Sequence, residues 1–451
     1  MGLLAIAGGK HDLGPNASLL ILLKPMTDKS YSRPWAAPLA NSPISAKVSI
    51  PGSKSLTNRE LVLSALATGP SELLNPLVSR DSGLMITALR KLGASIESSA
   101  GSLVITPRPI AGPAQIDCGL AGTVMRFVPP VAALAQGDIS FDGDLAARSR
   151  PMKTTVDSLR SLGVEVTGAG LPFTIHGTGE VAGGEISIDA SESSQFVSGL
   201  LLAAAKFKNG LTLNHVGKSL PSMPHIEMTM ENLKQRGITV SKLSDTSWRV
   251  EPGEIQGRKV EIEPDLSNAG PFMAAALVAG GTVTIENWPT KTTQVGNDFT
   301  QLLEVMGGKV SRTGTDMQVT GTGEIKGIEI DLSSAGELTP VIAALAALAN
   351  SKSVISGVGH LRGHETNRLK ALVDEINSIG GKATETSDGL IIEPANLTGG
   401  LWHTYGDHRM ATAGAIIGLR VPGIEIEDIS VTSKTMPEFD GLWLKMLGVS
   451  S

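Results

Sequence analysis

Hydrophobic and polar positions along this chain repeat one phrase. An amphipathic stretch at helical spacing closes on a residue followed by Gly, and a short apolar strand, a polar turn and a second strand come after it. The closing pairs are Leu92-Gly93, Leu162-Gly163, Arg236-Gly237 (a polar variant), Met306-Gly307, Ile379-Gly380 and Leu447-Gly448. They recur roughly every 70 residues, longer than a solenoid period, so each copy is a small subdomain. Gly suits these positions because a left-handed residue at a helix end satisfies loose carbonyls without a Cβ clash. Strand pairs are expected after the first five, for example 94–97 with 103–106 and 309–311 with 317–320.

A second stretch belongs to each copy and opens on small or polar residues, at 53–58, 121–126, 193–195, 267–270, 334–337 and 406–409. Beyond these openings the residues are apolar all round, as in 200–205 and 341–349, which predicts helices buried beneath the sheets. A βαβαββ-like unit used six times suggests two lobes of three units. The division falls near 261–265, where Pro264 interrupts a strand-like run. Strand 44–50 precedes the first helix, and pairing it with the last unit, which lacks closing strands, makes the chain cross between lobes twice. The expected organisation is an N-terminal extension over 1–42, partly disordered, a domain over 53–263, and a second domain made from 43–52 with 264–451.

Composition narrows the function. The 451 residues carry a net charge of -6 with no block of like charge, which excludes the basic footprint of a nucleic-acid or membrane-surface protein and favours small-molecule partners. The apolar run 19–23 is far too short to span a bilayer, and the flanking residues lack the cationic start of an export signal. Residues 1–25 read as a disordered extension or an overlong start. Cys118 is the single cysteine, so no disulfide framework or zinc-type cysteine cluster forms within the chain, and a cytoplasmic location fits.

Six helix N-termini at one position of the repeat, stacked symmetrically, aim at one cleft and make an anion site, since each exposes unpaired N–H groups and a positive dipole end. Cations lie at or near these starts: Lys54, Arg59, Arg126, Arg150, Arg368, Arg409 and Lys434. A single Arg or Lys is ordinarily a solvated surface charge. Recurrence argues otherwise, because Lys54, Arg126 and Arg409 stand in or near the first turns of apolar helices, where a cation opposes the dipole unless an anion joins it. The segment Pro51-Gly-Ser-Lys-Ser-Leu-Thr-Asn-Arg59 lacks the spacing of a nucleotide phosphate loop. Acid-base groups in the same regions are Glu337, Glu365 and Asp407, with His364 and His408 beside two of them. Glu337 follows Ser334 at capping-box spacing, so a helix cap is its simplest expected role. Cys118 reads as a buried structural thiol. Spacing alone stops at an anion-binding enzyme with its reaction open.

The motif 51–59, Ala121-Gly-Thr-Val-Met-Arg126, Arg150-Pro151, Ser193-Ser-Gln195, Glu365-Thr-Asn-Arg368, Tyr405-Gly-Asp-His-Arg-Met410 and Lys434-Thr435, in this order, closely resemble the enolpyruvylshikimate phosphate synthases of the enolpyruvyl transferase family. The match runs from about 44 to 447. The resemblance implies an α/β fold, a two-domain inside-out α/β barrel with three βαβαββ repeats in each domain and two interdomain crossovers. It implies a 3-phosphoshikimate 1-carboxyvinyltransferase that moves the enolpyruvyl group of phosphoenolpyruvate onto shikimate 3-phosphate, as a monomer, with no cofactor and no metal.

By the same resemblance, Ser55 and Arg59 meet the carboxylate of shikimate 3-phosphate, Ser193, Ser194 and Ser222 its phosphate, and Gln195 its ring, with Lys54, Glu337 and His364 also lining that subsite. Phosphoenolpyruvate falls to Lys54, Gly122, Arg150, Gln195, Arg368, Arg409 and Lys434. Catalytic work falls to Lys54, Glu337 and Glu365. Glu337 matches the acid facing the attacking hydroxyl, and Glu365 with Lys54 the proton-transfer partners at the methylene carbon. Three departures stand out: Leu120 where Asn is frequent, Phe127 where Pro is frequent, and His364 where many members have Lys. A partly charged His364 predicts shikimate 3-phosphate affinity that falls as pH rises. Gly122 leaves room for glyphosate, an inhibitor of this family. The rival readings are the sister transferase acting on UDP-N-acetylglucosamine, whose reactive loop cysteine has no counterpart in 142–151, and a non-catalytic anion-binding protein on the same scaffold.

Overall fold

Every glycine that closes a repeat in the sequence has a left-handed backbone in the computed structural model, with φ of 112° at Gly93, 85° at Gly163, 84° at Gly237, 106° at Gly307, 86° at Gly380 and 71° at Gly448. A side chain at any of them would be strained, which is why the pattern is so regular. The structure describes residues 34–99 and 101–449. The reading of residues 1–25 lies outside them.

Five four-stranded sheets share one order: a parallel pair, then two antiparallel neighbours. In the second, Ala114–Asp117 runs parallel to Gln136–Asp142, which pairs with Phe173–Thr178 and through it Glu165–Thr167. The expected strand pairs appear as Ser95–Ser99 with Ser102–Thr106 and Lys309–Thr313 with Asp316–Gly321. The sixth sheet has three strands, with Gly400–Trp402 parallel to Ile424–Ile426 and Trp35–Ala36 antiparallel to the latter.

Two strand placements depart from the sequence reading. Ile44–Val48 does not join the last unit. It runs parallel to Gly281–Ile285 and supplies the opening strand of the fourth. The last unit is closed instead by Trp35–Ala36, which the sequence reading assigned to an extension. Counting strands could not separate these options, because the two-residue strand Trp35–Ala36 is too short to show a period and left the last unit looking open. In the other direction, Lys259–Glu261 opens the first unit beside Ser71–Leu74.

Buried side chains form two cores. One runs from Leu61 to Ile255, and the other takes Ile44, Val48 and Ile50 together with 266–446. The chain passes between them along two segments lying side by side, where Ser53 N–H donates to Glu263 O (2.8 Å) and Asp265 N–H to Pro51 O (2.9 Å). Within the first core the helices Lys54–Ala65, Gly122–Ala132 and Gln195–Ala204 pack on one another. Leu266–Ala279, Thr339–Ala347 and His408–Gly418 do so in the second. All of Thr339–Ala347 is buried, as its all-round apolarity demanded. Each fully buried Leu, Val or Phe in these helices contributes about 1.5–3 kcal/mol relative to exposure.

Candidate active site

The six buried helices bring their N-termini to one cleft, lined by residues from both cores. Ser53 caps the first, accepting from Leu56 N–H (3.5 Å). Asp265 caps the fourth through Asn268 N–H (3.0 Å) and also accepts Lys54 N–H (3.1 Å), so one carboxylate ties helix starts of both halves. Asp407 caps the sixth, accepting Arg409 N–H at 2.9 Å. Every site residue expected from the sequence lines this cleft: Lys54, Ser55, Arg59, Gly122, Arg150, Ser193, Ser194, Gln195, Ser222, Glu337, His364, Glu365, Arg368, Arg409 and Lys434.

Arg59 is buried and held from three sides. Its Nε donates to Thr229 Oγ1 (2.8 Å), its terminal nitrogens to Ser55 O (3.0 Å) and His225 O (2.9 Å), and its guanidinium lies 5.2 Å from the centre of the Phe127 ring. Burial pushes its pKa down to about 9, against the opposing pull of Glu337. Arg126 donates to Pro151 O (2.9 Å) and Arg150 to Leu120 O (3.0 Å), so both are anchored by neutral carbonyls. Burial pushes both guanidiniums below their ordinary values, Arg126 farthest because Arg150 adds to it, while Glu365 and Asp81 partly offset it at Arg150. Their Nε atoms, with Gln195 Oε1, His360 Nε2 and His408 Nε2, are buried with no hydrogen-bond partner among the described residues. Such groups cost about 1–3 kcal/mol each when left unmade, and a polyanion resolves that cost for the two arginine Nε–H donors.

On the other wall Arg368 forks onto Asp407, and Lys434 lies 2.7 Å from Glu365 Oε1. Lys434 also reaches across to Leu120 O (3.4 Å). Burial raises the Glu365 pKa, but Lys434, His408 and Arg368 outweigh it and hold the carboxyl well below the usual range. Glu365, Asp407 and His408 approach closely enough to suggest a cation site. Yet Lys434 and Arg368 already neutralise these carboxylates, so the cluster is an ion-pair network rather than a set of free ligands.

Two sequence expectations change here. Glu337 caps nothing: the turn Gly336–Leu338 follows Ala335 with no side-chain cap. Its carboxylate instead accepts from Ser267 Oγ (2.9 Å) and, across the cleft, from His225 Nε2 (2.9 Å). The surroundings of His364 disfavour its charged form. Burial, then Arg368, His360 and Arg150, push its pKa well below the ordinary histidine value, and its Nδ1 lies 3.3 Å from the Arg368 guanidinium, which requires a neutral acceptor. Sequence reasoning missed His225 as a site residue. Its signal was present, since Ser222-Met-Pro-His225 is a helix start with Pro in the first turn.

The family EPSP synthase (3-phosphoshikimate 1-carboxyvinyltransferase) matches residues 39–443. The chain belongs to the EPSP synthase family. A 3-phosphoshikimate 1-carboxyvinyltransferase of Kocuria rhizophila is 53% identical over 429 residues, covering 92% of this chain and 96% of that protein. Two solved structures of EPSP synthase from Acinetobacter baumannii superpose with TM-scores of 0.75 and 0.74 at 24% identity, over 90% of this chain and 97% of theirs. Family membership makes the chain an enzyme with a mixed α/β fold. Its cysteine is not part of the cleft: Cys118 is fully buried and burial pushes its thiol up to about 12, which leaves no thiolate for chemistry. Among the described residues no helix is long and apolar enough to cross a membrane.

Proposed function

We propose that this EPSP synthase family member transfers the enolpyruvyl group of phosphoenolpyruvate to the 5-hydroxyl of shikimate 3-phosphate in this cleft, releasing phosphate, in the biosynthesis of aromatic compounds. The observation that carries the reading is the convergence of six helix N-termini with Lys54, Arg59, Arg126, Arg150, Arg368, Arg409 and Lys434 on one cleft whose buried donors lack partners. Two substrates bearing phosphates and carboxylates supply what those groups need. The two cores support a two-domain organisation, 53–263 and 264–449 with the preceding segment from Trp35 to 52, since Trp35, Ala37 and Ala40 pack on the second core, as an inside-out α/β barrel with crossovers at the paired segments near 52 and 264. The protein acts as a monomer in the cytoplasm.

In this reading Ser55 and Arg59 meet the shikimate carboxylate, Ser193, Ser194 and Ser222 the 3-phosphate, and Gln195 packs on the ring. Lys54, Arg150, Arg368, Arg409 and Lys434 hold phosphoenolpyruvate, with the backbone at Gly122. The reaction adds and then eliminates. A proton reaches the methylene carbon from Lys54 or Glu365, the hydroxyl oxygen bonds to the central carbon, and its proton passes to Glu337. The bond to phosphate then breaks, a methyl proton is lost and the double bond returns, so acid and base each work in both directions. Phosphoenolpyruvate binding supports the acid role of Glu365: its anionic oxygens compete for Lys434 and Arg368, and the carboxylate they release gains proton affinity.

The test is phosphate release from phosphoenolpyruvate by the purified protein with shikimate 3-phosphate, with UDP-N-acetylglucosamine and with neither. Release with shikimate 3-phosphate alone is expected. Release with the nucleotide sugar, or silence in all three from folded protein, would overturn the reading.

A further inference from the structure

Glu337 is held by one donor from its own half of the molecule and one from the opposite half. Ser267, at the start of the buried helix Leu266–Ala279, donates to Oε1, and His225, in the first turn of Met223–Gln235, donates to Oε2. The His225 backbone is fixed unusually well. Its carbonyl accepts from the Arg59 guanidinium (2.9 Å), Thr229 Oγ1 (3.0 Å) and Ser198 Oγ (3.3 Å), and the preceding turn is pinned across the cleft by Ser222 N–H to Ser333 O (3.1 Å). Ser222 itself sits in a left-handed conformation (φ 54°), which aims the helix start and the imidazole at Glu337.

We infer that His225 is a positioning residue for Glu337, supplied from across the cleft, which orients the carboxylate and keeps it a base, so that the pair exists only when the halves of the cleft are together. The inference rests on the proposed role of Glu337 toward the substrate hydroxyl. Electrostatics agree with the geometry. Burial raises the Glu337 pKa, but the charge and hydrogen bond of His225, then Arg409 and Ser267, outweigh it and hold the group far below the usual carboxylate range. Arg59, Arg368 and His360 also feel Glu337, from the helices Lys54–Ala65 and Arg368–Ser378 and the turn Gly359–Gly363. His225 alone among these charged or titratable groups has a hydrogen bond to the carboxylate, so it alone fixes direction as well as charge.

The experiment compares His225→Phe, which has no donor, with His225→Gln, whose amide N–H can replace Nε2–H, in steady-state assays over a pH series. In the Phe variant kcat should fall roughly tenfold or more while the KM for phosphoenolpyruvate stays within about threefold, a split a packing defect would not produce. The acidic limb of its kcat profile should move to higher pH, because Glu337 loses a partner that favours ionisation. The Gln variant should recover most of kcat. If the Phe variant does not fold, His225→Asn, whose amide is too short to reach Glu337, takes its place. Wild-type kcat without the donor, an unmoved acidic limb, or equal impairment of both variants would overturn the inference. A wild-type enzyme inactive with shikimate 3-phosphate would instead overturn the proposed function, so the two failures are distinct.

Discussion

Arg368 and Asp407 meet as a fork, Nε to Oδ2 at 2.7 Å and a terminal nitrogen to Oδ1 at 3.1 Å, with side chains only 3% and 0% exposed. Asp407 thereby does two tasks. It caps the helix His408–Gly418 and fixes the plane of a guanidinium that faces the cleft. Burial alone would lower the Arg368 pKa, yet Asp407 and Glu365 raise it, so its charge is secure in a cleft crowded with cations.

Removing that carboxylate leaves a buried cation whose remaining carboxylate contact is Glu365 at 4.0 Å, too far to replace the fork. Asp407→Ala should cost about 3–5 kcal/mol of stability, read as a lower urea midpoint, and raise the KM for phosphoenolpyruvate. A stability within about 0.5 kcal/mol of wild type would mean that Glu365 alone compensates Arg368.

Glu337→Gln keeps the shape and the acceptor for His225 but removes the base. Turnover should fall by about a hundredfold or more with the thermal midpoint nearly unchanged, and Lys54→Met should behave likewise. Unchanged turnover in either variant would remove that residue from the proposed mechanism.

Much of this site was legible in the sequence because helix N-termini announce themselves locally. Ser53, Ser193 and Asp407 stand before apolar runs, and the closing glycines need only a backbone argument. Pairing across long separations was not legible. Trp35–Ala36 and Ile44–Val48 are short apolar segments whose partners lie far along the chain, and nothing in their own sequence selects among the available sheet edges. The role of Glu337 was hidden for the same reason. Its spacing from Ser334 is local, while His225 and Ser267, which claim its carboxylate, come from distant helices. The charge of His364 likewise depends on burial and on Arg368, a cation one helical turn away whose approach the residue type does not disclose.

Three histidines of the cleft make the fold acid-sensitive. His360, His364 and His408 all have pKa values below the ordinary one, with burial the largest cause, so the folded state resists protons that the unfolded chain accepts below about pH 6.5. Their stabilisation is present above that pH and is lost as pH falls toward the folded values, with His364, lowered farthest, contributing over the widest range. Glu337 and Glu365, held low, extend the loss below about pH 4.5. Urea midpoints should therefore drop between pH 7.5 and 5.5. For the same reason the KM for shikimate 3-phosphate should not follow an ordinary histidine titration between pH 6 and 8. A His364→Lys enzyme with a clearly different pH profile there would restore the idea that His364 titrates.

Gly122 lies in the cleft against three polar side chains. A Cβ there would stand 3.0 Å from Gln195 Oε1, 3.1 Å from an Arg150 terminal nitrogen and 3.2 Å from one of Arg126. All three are ends of flexible side chains, so Gly122→Ala should fold normally. Arg150 is also tied to Leu120 O, and a shift of a few tenths of an ångström moves a donor that the proposed mechanism aims at phosphoenolpyruvate. The KM for phosphoenolpyruvate should rise severalfold while that for shikimate 3-phosphate stays near wild type. Glyphosate should compete with phosphoenolpyruvate in the wild type and lose more affinity than the substrate in the variant, because a longer ligand has less freedom to avoid the new methyl. Equal losses for both ligands would mean that the methyl acts through Arg150 alone, and unchanged kinetics would move the phosphoenolpyruvate subsite away from Gly122.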